Sequence, residues 1–163
     1  MKRIAWIIVI LAPYLSQCQD LPIWVNSPPA SNSKYYAVGE GTSISADIAE
    51  RKARMDANVR LAEKVEPVVE TTVSRIDSIV RGNELLVERV TIIRRKVMAS
   101  LQNVTETEKV TLEDKGKYTS YVLLSMPKES IANSLLNQIK GDDDLHNALA
   151  ETPFYRGMQN KVE

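Results

Sequence analysis

The chain has 163 residues, with 21 lysines and arginines against 21 aspartates and glutamates, one cysteine and one histidine. That balance argues against nucleic acid as a partner, because a phosphate backbone is held by a local surplus of cations. A lone cysteine excludes a disulfide framework, and a lone histidine leaves serine-triad hydrolysis without its usual base.

Met1-Lys2-Arg3 opens the chain, and Ile4 to Leu11 is an unbroken apolar run. A basic start, a run too short to span a bilayer and a polar exit describe a secretory signal peptide over residues 1–17, so the mature protein is exported. Cys18 stands where a bacterial lipoprotein carries its acylated residue, although Gln17 occupies a position where a lipobox has a small side chain. The alternative is ordinary cleavage before Gln19, with Ser16 and Cys18 as the small recognition residues. Residues 18–33, with Pro22, Pro28 and Pro29, read as an extended tether, and Trp24 within it reads as a cap on the edge of a core.

A first strand is predicted over about Lys34 to Gly41. Gly39 and Gly41 are expected to form a structural turn that lets the chain leave the strand without a Cβ clash. A helix follows from Ser43 or Ser45, either of which can cap it, to Glu66, where Pro67 blocks continuation. Ala49, Ala53, Ala57 and Leu61 recur on one face and predict close packing of that helix. Its charged residues, among them Asp47, Glu50, Lys52, Arg54 and Asp56, read as a solvated outer face.

Val69, Thr71 and Val73 alternate with polar residues and predict a second strand. Arg81-Gly82-Asn83 marks a turn, and Leu86, Val90, Ile93 and Val97 predict a second helix. Strands over about Leu101 to Leu112 and Tyr118 to Met126 flank a hairpin at Glu113–Lys117, and large side chains on both faces of the later strand make it central. Pro127 suits the first turn of a third helix carrying Ile131, Leu135 and Ile139 and ended by Gly141. The predicted fold is α+β in the order β-α-β-α-β-β-α, with helices on one face of a mostly antiparallel sheet of about four strands over residues 34–140. Residues 141–163 read as an acidic short helix and a polar tail, in which Phe154 and Tyr155 stand out.

Few groups suggest chemistry. His146 reads as a surface residue, and Asp142, Asp143 and Asp144 lack the alternate spacing of a calcium loop and read as a helix cap. Gly39-Glu40-Gly41 lacks the third glycine of a phosphate loop and holds an acid that would repel phosphate. No metal or cofactor site is expected.

The order of the leader with its cysteine, the proline-rich tether with its tryptophan, Tyr36-Ala37-Val38-Gly39-Glu40-Gly41, and the Ala49, Ala53, Ala57, Leu61 helix resembles the Lpp-twenty family of bacterial envelope lipoproteins. The strand Gly116-Lys117-Tyr118-Thr119-Ser120-Tyr121-Val122-Leu123-Leu124, followed by a proline and a helix, is similar to that family's closing segment, and the likeness covers about residues 22–140. It implies a non-catalytic outer-membrane or periplasmic protein. The family includes a flagellar basal-disc lipoprotein that assembles into rings, and it supplies no catalytic residues to carry over.

The first functional expectation is therefore a non-enzymatic envelope protein, a homo-oligomer or part of a larger assembly, held at the membrane by lipid if Cys18 is acylated. Its contact surfaces are expected at the sheet edges and at Trp24, Phe154 and Tyr155. An alternative is a periplasmic module that binds a small ligand or cell-wall fragment in a cleft beside Tyr35, Trp24 and Tyr121. An enzymatic reading would need two carboxylates, such as Glu40 and Asp47, facing one cavity.

Overall fold

The computed structural model describes residues 21–99 and 104–160. The predicted signal peptide and Cys18 lie outside the described residues, as does the start of the strand predicted from Leu101. Among the described residues the fold is α+β, with one three-stranded antiparallel sheet and six helices. The strands are β1 (Lys34–Ser43), β2 (Thr105–Asp114) and β3 (Lys117–Pro127), in spatial order β1-β3-β2. β2 and β3 form the predicted hairpin, turning at Lys115 and Gly116, and β3 is central as its two-sided apolar pattern requires. A register shift between Glu106 and Glu108 bulges the β2 edge.

The helices are α1 (Ile23–Asn26), α2 (Ala46–Val80), α3 (Glu84–Ala99), α4 (Glu129–Lys140), α5 (Asp143–Leu149) and α6 (Pro153–Gln159). Several expectations change. First, Pro67 does not end the helix: α2 continues through it for 35 residues in all. Second, the strand predicted at Val69–Val73 is helical. Val69 and Val73 are buried while Thr71 is exposed, a helical spacing rather than an alternating one. The Thr71 and Thr72 hydroxyls donate to the carbonyls of Pro67 and Val68, one turn back. Third, the tail is not merely polar, because residues 153–159 form α6. Pro127 closes β3, and α4 begins at Glu129.

One helix serves two neighbourhoods because its buried residues from Ala49 through Ala53, Ala57, Leu61, Val65 and Val69 to Val73 recur every four, before Ile76 and Val80 complete the stripe. Four residues advance about 400° at 3.6 residues per turn, so the stripe precesses ~40° per step and ~240° from Ala49 to Val73. The first half of α2 faces β1 and β3, and the second half turns toward α3 and α5. Gly82, at a φ of 101°, and Asn83, whose side chain accepts from the Leu86 amide at 3.3 Å, reverse the chain into α3. The core is continuous from Ala37 and Val122 under α2 to Leu135, Ile139, Leu145, Leu149 and Tyr155 at the far end.

Gly39 and Gly41 sit inside β1, not at a turn. A methyl group built on Gly39 would lie 2.1 Å from both the Ala53 carbonyl oxygen and the Ala57 amide nitrogen, and one on Gly41 would lie 2.3 Å from the Ala49 carbonyl oxygen. The glycines and alanines are two halves of one contact in which a helix backbone rests on a strand backbone.

Candidate functional site: a cationic cleft and the outer face of α2

Polar rows flank the alanine stripe and tie α2 to both sides of the sheet. Lys52 donates to the Thr42 carbonyl at 3.0 Å, Asp56 accepts from the Glu40 amide at 2.9 Å, and Lys64 donates to the Tyr36 carbonyl. These side chains, spaced by multiples of four residues, satisfy outward backbone groups of β1 and block its edge against further strand pairing. On the other flank Arg54 bridges Glu106 at 2.7 Å, and Glu50 bridges Lys109 at 3.0 Å. The hydrogen bond from Lys109 is the largest influence on Glu50, and with Arg54 it holds the carboxyl below its ordinary range against the opposing effect of burial. The charges read from sequence as a solvated outer face are mostly exposed, with Arg51–Asp47 and Arg60–Asp56 pairing along the helix, but Glu50, Lys52, Arg54, Asp56 and Lys64 also tie α2 to the sheet.

Among these exposed charges α2 also presents apolar side chains to solvent. Ile44, Ile48, Met55 and Val59 share one side of α2 and of its leading turn, opposite Ala49, Ala53 and Ala57 by helical geometry. Met55 is 69 % exposed, Val59 57 % and Ile48 46 %.

Of the sheet edges nominated for contact, that of β1 is met by side chains of α2, while β2 stays exposed along most of its length and carries a bulge and charged side chains. The aromatic tail residues are also relocated. Tyr155 is only 2 % exposed and belongs to the core, where burial raises its phenol above the ordinary value and His146 meets its ring edge-on at 5.5 Å. Phe154 is half-buried against the same core. Trp24 is half-buried on α1, which lies against β3.

A cleft of about 610 Å³ opens where β1, α2, α4 and α6 meet. Tyr35 enters from the start of β1, Val68, Thr71 and Arg75 from α2 just beyond Pro67, Lys128 and Ile131 from the head of α4, and Phe154 and Met158 from α6. The Lys128 amide donates to the Ser33 carbonyl at 2.9 Å, fixing the head of α4 beside β1. Arg75 lies over the Phe154 ring at 5.4 Å, and Lys128 over the Tyr35 ring at 5.2 Å, so both cations rest on aromatic walls of one cavity. Of the three residues expected around a cleft, the structure brings Tyr35 to it; Trp24 and Tyr121 are not in its lining. Glu40 and Asp47 line no cavity described here, and Glu40 lies beside Tyr121, whose phenol is raised first by burial and then by that charge.

Comparison with protein-family models, curated proteins and solved structures returns no match.

Sequence reading missed Arg75, Lys128 and the placement of Phe154. The signal for α6 was present: Thr152 and Pro153 are a cap and a first-turn proline, and Tyr155 and Met158 follow three residues apart. The Thr152 hydroxyl accepts from the Tyr155 amide at 3.2 Å. Arg75 and Lys128 gave no such signal, because 53 positions of chain separate them and nothing local relates the two.

Proposed function

We propose that this chain is a non-catalytic protein of the bacterial cell envelope, related to the Lpp-twenty family, that acts by self-association. The observation that carries the reading is the exposed row Ile44, Ile48, Met55 and Val59 on the face of α2 opposite the sheet. An exposed apolar row on the side of a helix away from its sheet invites a second partner, and among the described residues none covers it. A second copy of the same helix fits that need. Two copies running antiparallel about a two-fold axis would set Met55 and Val59 of each against the other, with Glu63 and Glu66 at the rim. The basic start, the short apolar run and Cys18 support export and, where Cys18 is acylated, anchoring by lipid.

Sedimentation of the purified chain over a concentration series tests the association. A dimer or larger species is expected, with Met55→Glu and Val59→Glu together weakening self-association at least about tenfold while thermal unfolding stays unchanged, since both positions are exposed. A monomer at every concentration, with and without lipid, would overturn the proposal.

A further inference from the structure

We infer that the cleft between β1, α2, α4 and α6 is a binding site for a small amphipathic anion, a molecule with a carboxylate or phosphate head and an apolar chain. The inference rests on the cleft and not on the outer face of α2, so it stands or falls separately from self-association.

The head-group chemistry comes from two cations that face one cavity from different elements. Arg75 and Lys128 are each held over an aromatic ring, and neither has a carboxylate partner in the ion pairs among the described residues. Glu129 is the one acid in the lining, which leaves the rim with a net positive charge. An unneutralised arginine and lysine beside an apolar wall favour an anion over a neutral or cationic ligand. A guanidinium and an ammonium suit carboxylate and phosphate alike.

The tail chemistry comes from the floor. Buried Ile131, Leu135 and Met158 line it, joined by half-buried Ala132 and exposed Val68, and the cavity is the size of a drug-like ligand. The Thr71 and Thr72 hydroxyls donate to helix carbonyls, so they offer acceptors rather than free donors to whatever enters. Beyond Phe154 a second depression of about 280 Å³ shares Arg75, Phe154 and Met158 with the first and continues to Gly157. The two adjoin at Arg75, Phe154 and Met158, so an extended acyl chain can run from the first into the second. Methionine adds an adaptable wall for chains of different length.

Calorimetric titration of the purified full chain with laurate and with dodecyl phosphate, both below their micelle concentrations, tests the inference. Dodecyltrimethylammonium and dodecanol carry a tail of the same length without the anion. The expected result is one anion per chain with a Kd of about 1–100 μM. The cationic and neutral analogues are expected to bind at least tenfold more weakly. Arg75→Gln and Lys128→Gln are each expected to weaken the anion about tenfold, and Glu129→Gln to tighten it a few-fold. Tighter binding of dodecyl phosphate would identify a phosphate-headed lipid as the source, and tighter binding of laurate a fatty acid. The Met55→Glu, Val59→Glu variant is expected to bind as the unaltered chain does, which separates this site from the self-association surface. Equal binding of the cationic amphiphile, no binding of either anion, or charge variants that bind like the unaltered chain while folded by thermal unfolding would overturn the assignment.

Discussion

Gly39 illustrates how a residue with no side chain can dictate a fold. The hydrogen at Cα leaves room for the Ala53 carbonyl and Ala57 amide, and any Cβ would stand 2.1 Å from both, well inside contact distance. The colliding atoms are helix backbone, which cannot rotate aside as a long side chain can. Gly39→Ala is therefore expected to push α2 off β1 and destabilise the protein by about 3 kcal/mol or more, read as a large loss in denaturation midpoint. A neutral result would mean that the helix is not seated on the strand. Ala53 and Ala57 are constrained from the other side by the same contact, which explains why the apolar stripe starts with methyl groups and enlarges to Leu61 and Val65 only beyond the glycine pair. The alanine spacing and the glycine pair were both legible in the sequence. Their relation was not, because a glycine before a helix reads equally as a turn and as a landing place.

At the scale of an element, α2 shows where local preference and tertiary packing part company. Pro67 lacks an amide hydrogen for the Glu63 carbonyl, and Val68, Val69, Thr71, Thr72 and Val73 are all branched at Cβ, so local propensity argues for a helix end and a strand. The four-residue spacing of Val65, Val69 and Val73 argues the opposite, and burial of all three decides it. Continuing the helix keeps that stripe in the core and turns it from the sheet toward α3 and α5, whereas a strand would have buried exposed Thr71 beside Val69 and Val73. Since proline is tolerated here rather than required, Pro67→Ala is expected to stabilise the protein by about 1 kcal/mol, a rise of about 3 °C in Tm followed by circular dichroism, with helix content unchanged. A lower Tm would show that the interruption itself seats the two halves. α3 was readable because its stripe is regular, and the hairpin because polar residues and Gly116 separate two branched runs.

Across the whole molecule, ion pairs connect elements that the core leaves far apart in sequence. Arg89 on α3 bridges Asp142 at 2.7 Å and Asp144 at 3.0 Å at the start of α5, and Asp142 also caps that helix by accepting from the Leu145 amide at 3.2 Å. Burial alone would raise the Asp142 carboxyl, yet the Leu145 amide and the Arg89 guanidinium together hold it below the ordinary carboxylate range. A carboxylate whose folded pKa is depressed contributes stability above its unfolded value, about 3.9, and loses that contribution as pH falls through the folded pKa. Asn keeps the cap and removes the charge. Asp142→Asn is accordingly expected to lower Tm by about 3 °C at pH 7, with the gap to the unaltered chain closing below about pH 4 in thermal unfolding scans. A gap independent of pH would mean that the ion pair contributes nothing. Asp77 runs the other way: burial raises its carboxyl, opposed by the charge of Arg94, so its ionised form is a cost that falls away under acid.

By itself the sequence determined the local periodicities: the four-residue stripe of α2, the regular stripe of α3, the branched hairpin and the acidic helix cap are all set by which residues recur at which spacing. Tertiary structure alone decided what those stripes meet. Whether Pro67 stops a helix, whether Tyr155 is surface or core, which charges tie α2 to the sheet and which apolar residues remain outside it, and whether Arg75 and Lys128 share a cleft depend on contacts between segments distant in the chain. Burial of such contacts outweighs the weaker local preferences, and no local pattern encodes it.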